Sequence, residues 1–524
     1  MSVNILKLSY LSDKKDKLIP IVLFIFAVIF LSVFLISTPT NGDTYAYAYS
    51  VQYLQGSSIH PGYYYIGHMI YFLTKFFSLS PLFALSLLSL ISSALAIVLL
   101  YLFVFKISQN ILLGLISSII LLFSGGFWFY SVYGEVYVPQ LAFVLLSLFF
   151  IYYQKPLISS LFLLVAISIT PTSALVLPAL FFIMYRNKVD KKQLLYFIIP
   201  LMVPLIAVFL LKFSKLGDLY ELAVYSPRIF FQNFSLVSLF EKVIMDLLFV
   251  YGKSYGILNF AAIFGVVLIF RENRNLFWIL FLLIIPFTIY IFNLGLLTED
   301  HLIITFIPMS VFSAYALFKA FFYFKKSKVL VTISILILLF SQILLSSQIF
   351  IVPEKKCSAI LESTLQEFSG KFGPEAILIS DWNFGMPFWY LTQNETSYSL
   401  LTGRPVRFFQ KDCIDKEQCL QRLTQSFWID IPNLRIFLAE EELKDSSFSK
   451  EREIFFVNPK SQSNWFKQLF VGKESTRDPA EPGNRKVRFI NLMQKSLEMH
   501  LHIADSMDYP LEKIYKFRVM PAGR

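Results

Sequence analysis

The sequence contains few charged residues. Asp, Glu, Lys and Arg make up 15% of its 524 residues, whereas hydrophobic types make up 56%, and Phe alone occurs 57 times. Soluble domains carry about 25% charged residues, so this composition excludes an ordinary soluble protein. Apolar runs of about 20 residues, long enough to cross roughly 30 Å of hydrocarbon, predict a polytopic α-helical membrane protein.

The sequence also has fewer acidic than basic residues, and its formal net charge is +11. In soluble proteins an excess of Lys and Arg often accompanies nucleic-acid binding. In membrane proteins the same residue types collect in cytoplasmic loops. We therefore interpret the charge as topological and expect no nucleic-acid partner.

Diagnostic ligand spacings are missing as well. The sequence shows no cluster of metal-ligating residues with the spacing of a structural metal site, and Gly252-Lys253-Ser254 lacks the upstream glycine of a phosphate-binding loop. Three cysteines are present. Cys413 and Cys419 lie close enough in sequence for a disulfide in an oxidising compartment, and two unrelated thiols explain them equally well.

The apolar runs and the positive charges between them predict a topology. Four lysines precede the first run, residues 18–36, which is too long for a signal-peptide core and has no small-residue cleavage site. It predicts an uncleaved first span with a cytoplasmic N-terminus. The runs that follow give about eleven spans, the last at residues 329–351, with residues 38–81 as the first external loop and the C-terminus outside.

One apolar run needs a break to keep this alternation. Lys155 and Arg186 both belong to the cytoplasmic side, yet the run between them is too long for one span. Thr170 precedes Pro171, and a residue before proline is pushed out of helical geometry. We therefore predict two short half-spans that meet near the outer leaflet; the alternative is a single kinked helix.

The chain changes character after residue 352. Charged residues become frequent, and the apolar runs shrink to strand length at residues 376–379, 434–438 and 454–457, with a helix-compatible segment at 416–425. This alternation predicts a small α/β domain. The sequence thus predicts a transmembrane domain over residues 1–352 and an extracytoplasmic α/β domain over residues 353–524.

Two carboxylates are predicted to lie on the outer side, each just beyond a span. Asp43 follows the first span, and Glu135 stands in an otherwise uncharged stretch. A charge at such a position is costly unless it is functional or well solvated. A pair of acids suits general-base chemistry on a hydroxyl, in which one takes the proton and the other orients the acceptor or shares a divalent cation. A helix N-cap is the alternative explanation of Asp43.

Aromatic residues and one histidine accompany these acids. Tyr63, Tyr64 and Trp128 offer flat faces against which sugar rings can pack, while their polar ends form hydrogen bonds. His60 precedes Pro61 and is a candidate substrate ligand. Each has a simpler explanation, because Tyr and Trp gather at membrane interfaces regardless of function and a histidine before proline can cap a turn.

These residues carry a resemblance to a known family. Three stretches resemble conserved blocks of the GT-C superfamily of membrane glycosyltransferases, in particular its protein O-mannosyltransferase-like branch with an "HPPGYP"-like turn and an "FW…EVY" pattern. The stretches are Asn41-Gly42-Asp43 with His60-Pro61-Gly62-Tyr63, then Phe127-Trp128 with Glu135-Val136-Tyr137, and, more loosely, residues 168–178. The motifs cover about residues 15–185, and later spans match only in hydropathy.

The resemblance implies transfer of a sugar from a polyprenyl-phosphate-linked donor to a hydroxyl of a protein, lipid or glycan, on the extracytoplasmic face. Asp43 would be the base, with inversion at the sugar carbon. Glu135 would assist it or help to hold a divalent cation, Mg²⁺ or Mn²⁺. Tyr137 would join the substrate-binding residues, and Arg228, Lys253 and His301 are outer-side candidates for neutralising the phosphate leaving group.

Other functions fit the same features. A transporter or flippase of lipid-linked sugars would also have a broken span like the one at Pro171. A glycan polymerase or ligase would share the fold and the donor and differ in the acceptor. A non-catalytic membrane scaffold could present the C-terminal domain.

Overall fold

The computed structural model describes residues 14–36, 38–39, 41–54, 60–212, 250–294, 301–324 and 327–369, residues 387 and 390, and seven strands farther along the chain. The chain divides into two compact units. The larger lies within Met1–Ser37 and Ser50–Lys355, and the smaller within Thr38–Tyr49 and Lys356–Arg524.

The described chain up to residue 212 is almost entirely helical. Its helices are α1 (Lys14–Ser32), α2 (Gly42–Tyr53), α3 (Pro61–Lys75), α4 (Pro81–Ser108), α5 (Ile111–Phe123), α6 (Gly125–Ser131), α7 (Tyr137–Tyr152), α8 (Pro156–Ile169), a 3₁₀ turn (Pro171–Val176), α9 (Leu177–Arg186) and α10 (Lys191–Lys212).

Further helices follow after residue 250. They are α11 (Leu258–Glu272), α12 (Arg274–Leu294), a 3₁₀ turn (Ile303–Thr305), α13 (Phe306–Tyr323), α14 (Lys328–Ser346), a π-helical turn (Ser347–Ile351) and α15 (Val352–Ser369). Each predicted apolar run contains one or more of these helices, whereas the count of eleven membrane crossings stays a prediction.

Three helical segments of the described chain are long and apolar enough to cross a membrane: Pro81–Ser108, Ile303–Tyr323 and Lys328–Lys356. A fourth results if α5 and α6, which meet at a bend of 68°, form one broken span. Five shorter apolar helices accompany them. Since much of their exposed surface is Leu, Ile and Phe, these helices indicate an integral membrane protein.

Local signals set the ends of the central helix α4. Ser80 accepts a hydrogen bond from the Phe83 amide and Pro81 occupies the first turn, an arrangement that favours a helix start. Gln109 ends the helix in the left-handed conformation at φ 54°. Asn110 then caps α5 by accepting from the Leu113 amide. The turn between two long antiparallel helices is thus encoded in a few polar residues.

The predicted break before Pro171 is present. Helix α8 ends at Ile169, Thr170 is extended at φ −149° and ψ 120°, and a 3₁₀ turn leads into α9. Ser173 donates a hydrogen bond to the Ala166 carbonyl, which also accepts from the Thr170 amide at 2.9 Å. The chain therefore forms two helices here, and their placement relative to the two leaflets stays a prediction.

Helices α11 and α13 pack backbone to backbone. A Cβ atom added at Gly265 would lie 1.9 Å from the Phe312 carbonyl oxygen, so only glycine fits at this crossing. Ser313 donates a hydrogen bond to the Leu258 carbonyl across the same interface. Small residues and interhelical hydrogen bonds of this kind hold helices together in lipid.

Seven strands follow α15 in the smaller unit. They are β1 (Ile377–Ser380), β2 (Ser397–Ser399), β3 (Ile429–Ile431), β4 (Leu434–Ile436), β5 (Glu453–Pro459), β6 (Leu501–Asp508) and β7 (Glu512–Val519). Five of them form a mixed sheet in the order β2-β1-β5-β7-β6, in which β1 pairs in parallel with β2 and β5, and β7 pairs antiparallel with β5 and β6.

Strands β1, β4 and β5 overlap the three predicted runs. The hairpin of β6 and β7 was not predicted, because charged residues interrupt its apolar positions and hide the alternation. The predicted helix at residues 416–425 and the cysteines Cys413 and Cys419 lie outside the described residues. The α/β domain and its boundary at residue 353 stay predictions; α15 itself runs through that position.

Candidate functional site

Asp43 stands in the first turn of α2. Its side chain is exposed, while the next two residues, Thr44 and Tyr45, are fully buried. The Asp43 amide donates a hydrogen bond to Oδ1 of Asn41 at 3.1 Å. Asn41 therefore occupies the N-cap position, and the carboxylate of Asp43 is not needed to start the helix.

Within the smaller unit, α2 also makes an aromatic contact. The rings of Tyr45 and Tyr390 lie 5.7 Å apart in an edge-on arrangement. This contact fixes the buried face of the first turns of α2. Because Asp43 precedes Tyr45 by two residues, its side chain points away from that face.

Glu135 lies in the turn between α6 and α7 and is only 1% exposed. Its amide donates to the Tyr133 carbonyl at 2.9 Å, and the Ser89 hydroxyl donates to the Glu135 carbonyl at 3.4 Å. A buried carboxylate is costly unless polar groups surround it. The fold therefore holds the backbone of this acid at a defined position.

Tyr63 of α3 lies beside Glu135. Burial raises the pKa of Tyr63 well above its usual value, and the negative charge of Glu135 and the neighbouring Tyr64 raise it further. The phenol consequently stays protonated at neutral pH. Three elements, α3, α4 and the α6–α7 turn, thus contribute polar side chains to one place.

His60 connects the first loop to the break before Pro171. Its Nδ1 lies 2.6 Å from the Ile169 carbonyl, and burial lowers the pKa of the imidazole while this hydrogen bond raises it. A Cβ at Gly62 would lie 2.0 Å from the Ser168 hydroxyl. The two blocks therefore touch so closely that a side chain at residue 62 would have to displace Ser168.

Trp128 is buried among phenylalanine rings, whereas its predicted role, stacking against a sugar, requires an accessible ring face. It is 1% exposed, and the rings of Phe30 and Phe34 in and after α1 lie 4.9 Å from it. Its indole Nε1 has no hydrogen-bond partner in the described structure. Trp128 packs the α5–α6 bend onto α1, and a sugar-stacking role stays a prediction.

A second group of predicted residues meets at the start of α7. The rings of Tyr137 and His301 lie 5.5 Å apart, and Tyr130 lies 5.6 Å from Tyr137. Lys253 is half-buried in the helical residues 250–255, near Tyr251, whose hydroxyl is 2.5 Å from that of Thr305. Arg228 lies outside the described residues.

The sequence analysis did not single out Ser89, Gln140 and Thr172. Ser89 lies within an apolar span, and Gln140 is 2% exposed and donates to the Thr172 hydroxyl at 3.1 Å. This bond ties α7 to the turn after Pro171. A glutamine among apolar residues was a usable signal, since buried amides need partners; nothing in the sequence indicated its partner.

The described residues offer little to a divalent cation. No group of three His, Cys, Asp or Glu side chains is found among them, and Mg²⁺ and Mn²⁺ prefer several oxygen ligands. A divalent cation bound by Asp43 and Glu135 therefore stays a prediction.

We compared the chain with known proteins. No family model and no curated protein matches it. Among solved structures, ArnT from Cupriavidus metallidurans bound to undecaprenyl phosphate superposes with a TM-score of 0.54 at 8% identity, over 95% of this chain and 97% of that one. AglB, an oligosaccharyltransferase from Archaeoglobus fulgidus in complex with an inhibitory peptide and a dolichol-phosphate, gives 0.48 at 11% identity, over 96% and 89%. The chain thus shares the fold of ArnT along nearly its whole length.

Proposed function

We propose that the protein is a glycosyltransferase that moves a sugar from a polyprenyl-phosphate-linked donor to a hydroxyl acceptor on the extracytoplasmic face of a membrane. The observation that carries this proposal is the superposition on ArnT along nearly the whole of both chains, since that enzyme was solved with a polyprenyl phosphate bound. Fold alone does not establish function, so the proposal also rests on the residues of the site.

The setting of Glu135 supports this activity. A structural protein has little reason to bury a carboxylate in an apolar helical bundle, and intramembrane acids usually serve a substrate or proton pathway. Here the acid lies near a protonated phenol, Tyr63, and the Ser89 hydroxyl donates to its backbone carbonyl. Such a group can hold the hydroxyls of a sugar or of an acceptor.

The reaction assigns a separate role to Asp43. Its carboxylate takes the proton of the acceptor hydroxyl, and the acceptor oxygen forms a bond to the anomeric carbon from the side opposite the phosphate. The bond from that carbon to the phosphate oxygen breaks, and the polyprenyl phosphate leaves with the electron pair, so the configuration inverts. A base must reach the proton it accepts, which the exposure of Asp43 allows.

The leaving phosphate needs positive charge or hydrogen bonds more than it needs an acid. Lys253 and His301 are the described candidates, and Arg228 is a further one outside the described residues. The Tyr137 ring lies 5.5 Å from the His301 ring, tilted by 52° to it, and this contact helps to orient the imidazole. The sugar can be held by His60, Tyr63 and Tyr64 in the same scheme.

A deletion strain of the native host tests the proposal. It would be complemented with the wild type, with Asp43→Asn, or with Asp190→Asn, and polyprenyl-phosphate sugars and surface glycans would be measured together by mass spectrometry. Asp190 is a matched control because it too stands at a helix start, exposed, and accepts from the Gln193 amide at 2.7 Å.

We expect the Asp43→Asn strain to accumulate one lipid-linked sugar and to lose one glycan, because the amide has nearly the same shape and cannot take the proton. The Asp190→Asn strain should match the wild type. If deletion changes these pools and Asp43→Asn restores them fully, Asp43 is not the base, and transport of the lipid-linked sugar becomes the better explanation.

A further inference from the structure

The segment that follows α14 contacts α6 and the α6–α7 turn, in which Glu135 lies. This connector comprises residues 347–355, the π-helical turn and the start of α15. A Cβ at Gly125 would lie 2.3 Å from the Phe350 ring, and that ring lies 6.1 Å from the Phe129 ring. Helix α6 therefore packs against the Phe350 ring.

Tyr133 joins the connector to Glu135. Its hydroxyl donates to Oε1 of Glu354 at 2.9 Å, and its backbone carbonyl accepts from the Glu135 amide at 2.9 Å. Tyr133 is 2% exposed and Glu354 is half-buried, so the link is partly buried. One residue thus transmits the position of the connector to the backbone of the buried acid.

Lys355, the next residue of the connector, contacts the chain at the end of α1. Lys355 donates to the Val33 carbonyl at 3.3 Å, and its ammonium lies 5.3 Å from the Phe34 ring. That ring contacts Trp128 at 4.9 Å. Two adjacent residues of the connector therefore make separate contacts. Lys355 contacts the end of α1, which packs against Trp128, and Glu354 contacts Tyr133, which is bonded to the Glu135 amide.

The backbone around this link is held by separate hydrogen bonds rather than by a regular helix: the Ile36 amide donates to the Val132 carbonyl, and the Ser89 hydroxyl donates to the Glu135 carbonyl. Helix α6 is only seven residues long, α7 begins at Tyr137, and α6 ends at Ser131. Residues 132–136 therefore lack a continuous helical hydrogen-bond ladder, and side-chain anchors carry more of the task of fixing them. A π-helical turn beside such a segment is a common feature of functional sites.

We propose that Glu354 is a positioning residue for Glu135 and acts through Tyr133. Its carboxylate holds the Tyr133 hydroxyl, which fixes the carbonyl that receives the Glu135 amide and so sets the direction of the Glu135 side chain. The role of Glu135 in transfer rests on the proposed function, whereas the mechanical link is a property of the structure itself.

Hydrogen exchange tests the link without any substrate. The full-length protein in detergent would be compared as wild type, Glu354→Ala, Glu354→Gln, Tyr133→Phe and Glu362→Ala, the last an exposed acid on the same helix. We expect Glu354→Ala and Tyr133→Phe to speed exchange in peptides covering residues 130–136 about tenfold, because the hydrogen bond to a carboxylate is lost. Glu354→Gln, whose amide oxygen still accepts, should restore protection, and Glu362→Ala should have no effect.

Glycan formation by the complemented strains tests the functional part. Glu354→Ala and Tyr133→Phe should reduce product, Glu354→Gln should rescue it, and in a Glu135→Gln background neither should cause any further loss. Unchanged exchange in Glu354→Ala, or exchange that rises equally in α4 and α7, would overturn the link.

The two proposals fail in different ways. If Asp43→Asn abolishes the product and Glu354→Ala leaves both product and epistasis unaffected, Glu354 does not position Glu135. If exchange responds as expected but no variant, Asp43→Asn included, alters any glycan, the glycosyltransferase proposal fails and the link remains as part of the fold.

Discussion

The two candidate acids occupy opposite physical settings. Glu135 is 1% exposed, its backbone is held by Tyr133 and Ser89, and its side chain faces a phenol whose pKa it helps to raise. Asp43 is exposed, in the first turn of a helix whose N-cap is Asn41. Burial fixes the position of Glu135 but makes its ionised form electrostatically costly. Asp43 is exposed, so its charge is solvated at little cost and its carboxylate is accessible to a substrate.

This contrast suggests a division of labour. An acid that must accept a proton from a substrate needs access, and an acid that orients groups needs rigidity. The positive end of a helix also favours the ionised form of a carboxylate in its first turn. Asp43 therefore suits the base, and Glu135 suits the positioning of hydroxyl groups; variants of each acid can break this comparison.

The largest effect is expected for Asp43→Asn. General-base catalysis contributes about 100-fold to 10,000-fold to a rate, so transfer by purified protein should fall by at least about 100-fold. Thermal unfolding should not change, because Asn41 caps the helix. Asp190→Asn serves as the control for the chemical change, and a rate within a factor of two of the wild type in Asp43→Asn would contradict the assignment.

A smaller loss is expected for Glu135→Gln. The amide fills the same volume and still accepts hydrogen bonds but carries no charge, so we expect transfer to fall about tenfold, as for one charge-assisted hydrogen bond. The midpoint of thermal unfolding should stay equal or rise, because an electrostatic cost of burial is removed. Kinetics like those of the wild type, with Glu362→Gln as an exposed control, would make Glu135 a structural residue.

Tyr63→Phe should have a weaker effect again. The ring keeps its buried packing and only the hydroxyl is lost, so transfer should fall about threefold, the worth of an ordinary hydrogen bond. In a Glu135→Gln background the substitution should add little if both side chains act on the same substrate group. Purely additive losses would show that they act separately.

His60 gives the smallest expected effect, on stability rather than on rate. Burial lowers the pKa of His60 from its usual value of 6.5, so the unfolded chain binds a proton more readily than the folded one. The contribution to stability is therefore complete above about pH 6.5 and is lost as the pH falls through the folded pKa. His60→Asn should flatten this part of the profile of unfolding midpoint against pH; an unchanged profile would show that another group dominates.

Much of the fold followed from the sequence. Long apolar runs can only be satisfied as helices in lipid, so the helices could be placed, and Pro171 specified a break because its ring excludes the preceding residue from helical geometry. The sequence did not predict that the last apolar helix continues through a π-helical turn into α15, because no breaker marks its end. It also missed β6 and β7, whose polar positions conceal the strand pattern.

The sequence indicated single candidate residues of the site, but it did not indicate which side chains contact one another. A lone acid among apolar residues marked Glu135, and a carboxylate after a span marked Asp43. The partners of Glu135 came from helices far apart in sequence, Tyr63 in α3 and Ser89 in α4, and serine and tyrosine are too common in membrane helices to stand out. Trp128 carried the same motif signal as Glu135 yet is enclosed by phenylalanines.

The sequence by itself determined that this chain is a helical membrane protein with an acid after each of two apolar runs, because composition and hydropathy depend only on residue type and order. The tertiary structure decided which acid is buried, which residue caps α2, and that Tyr133 and Glu354 meet although 221 residues separate them. Such contacts arise from the packing of helices whose facing surfaces are mostly apolar, so the pattern within each helix does not specify its neighbour.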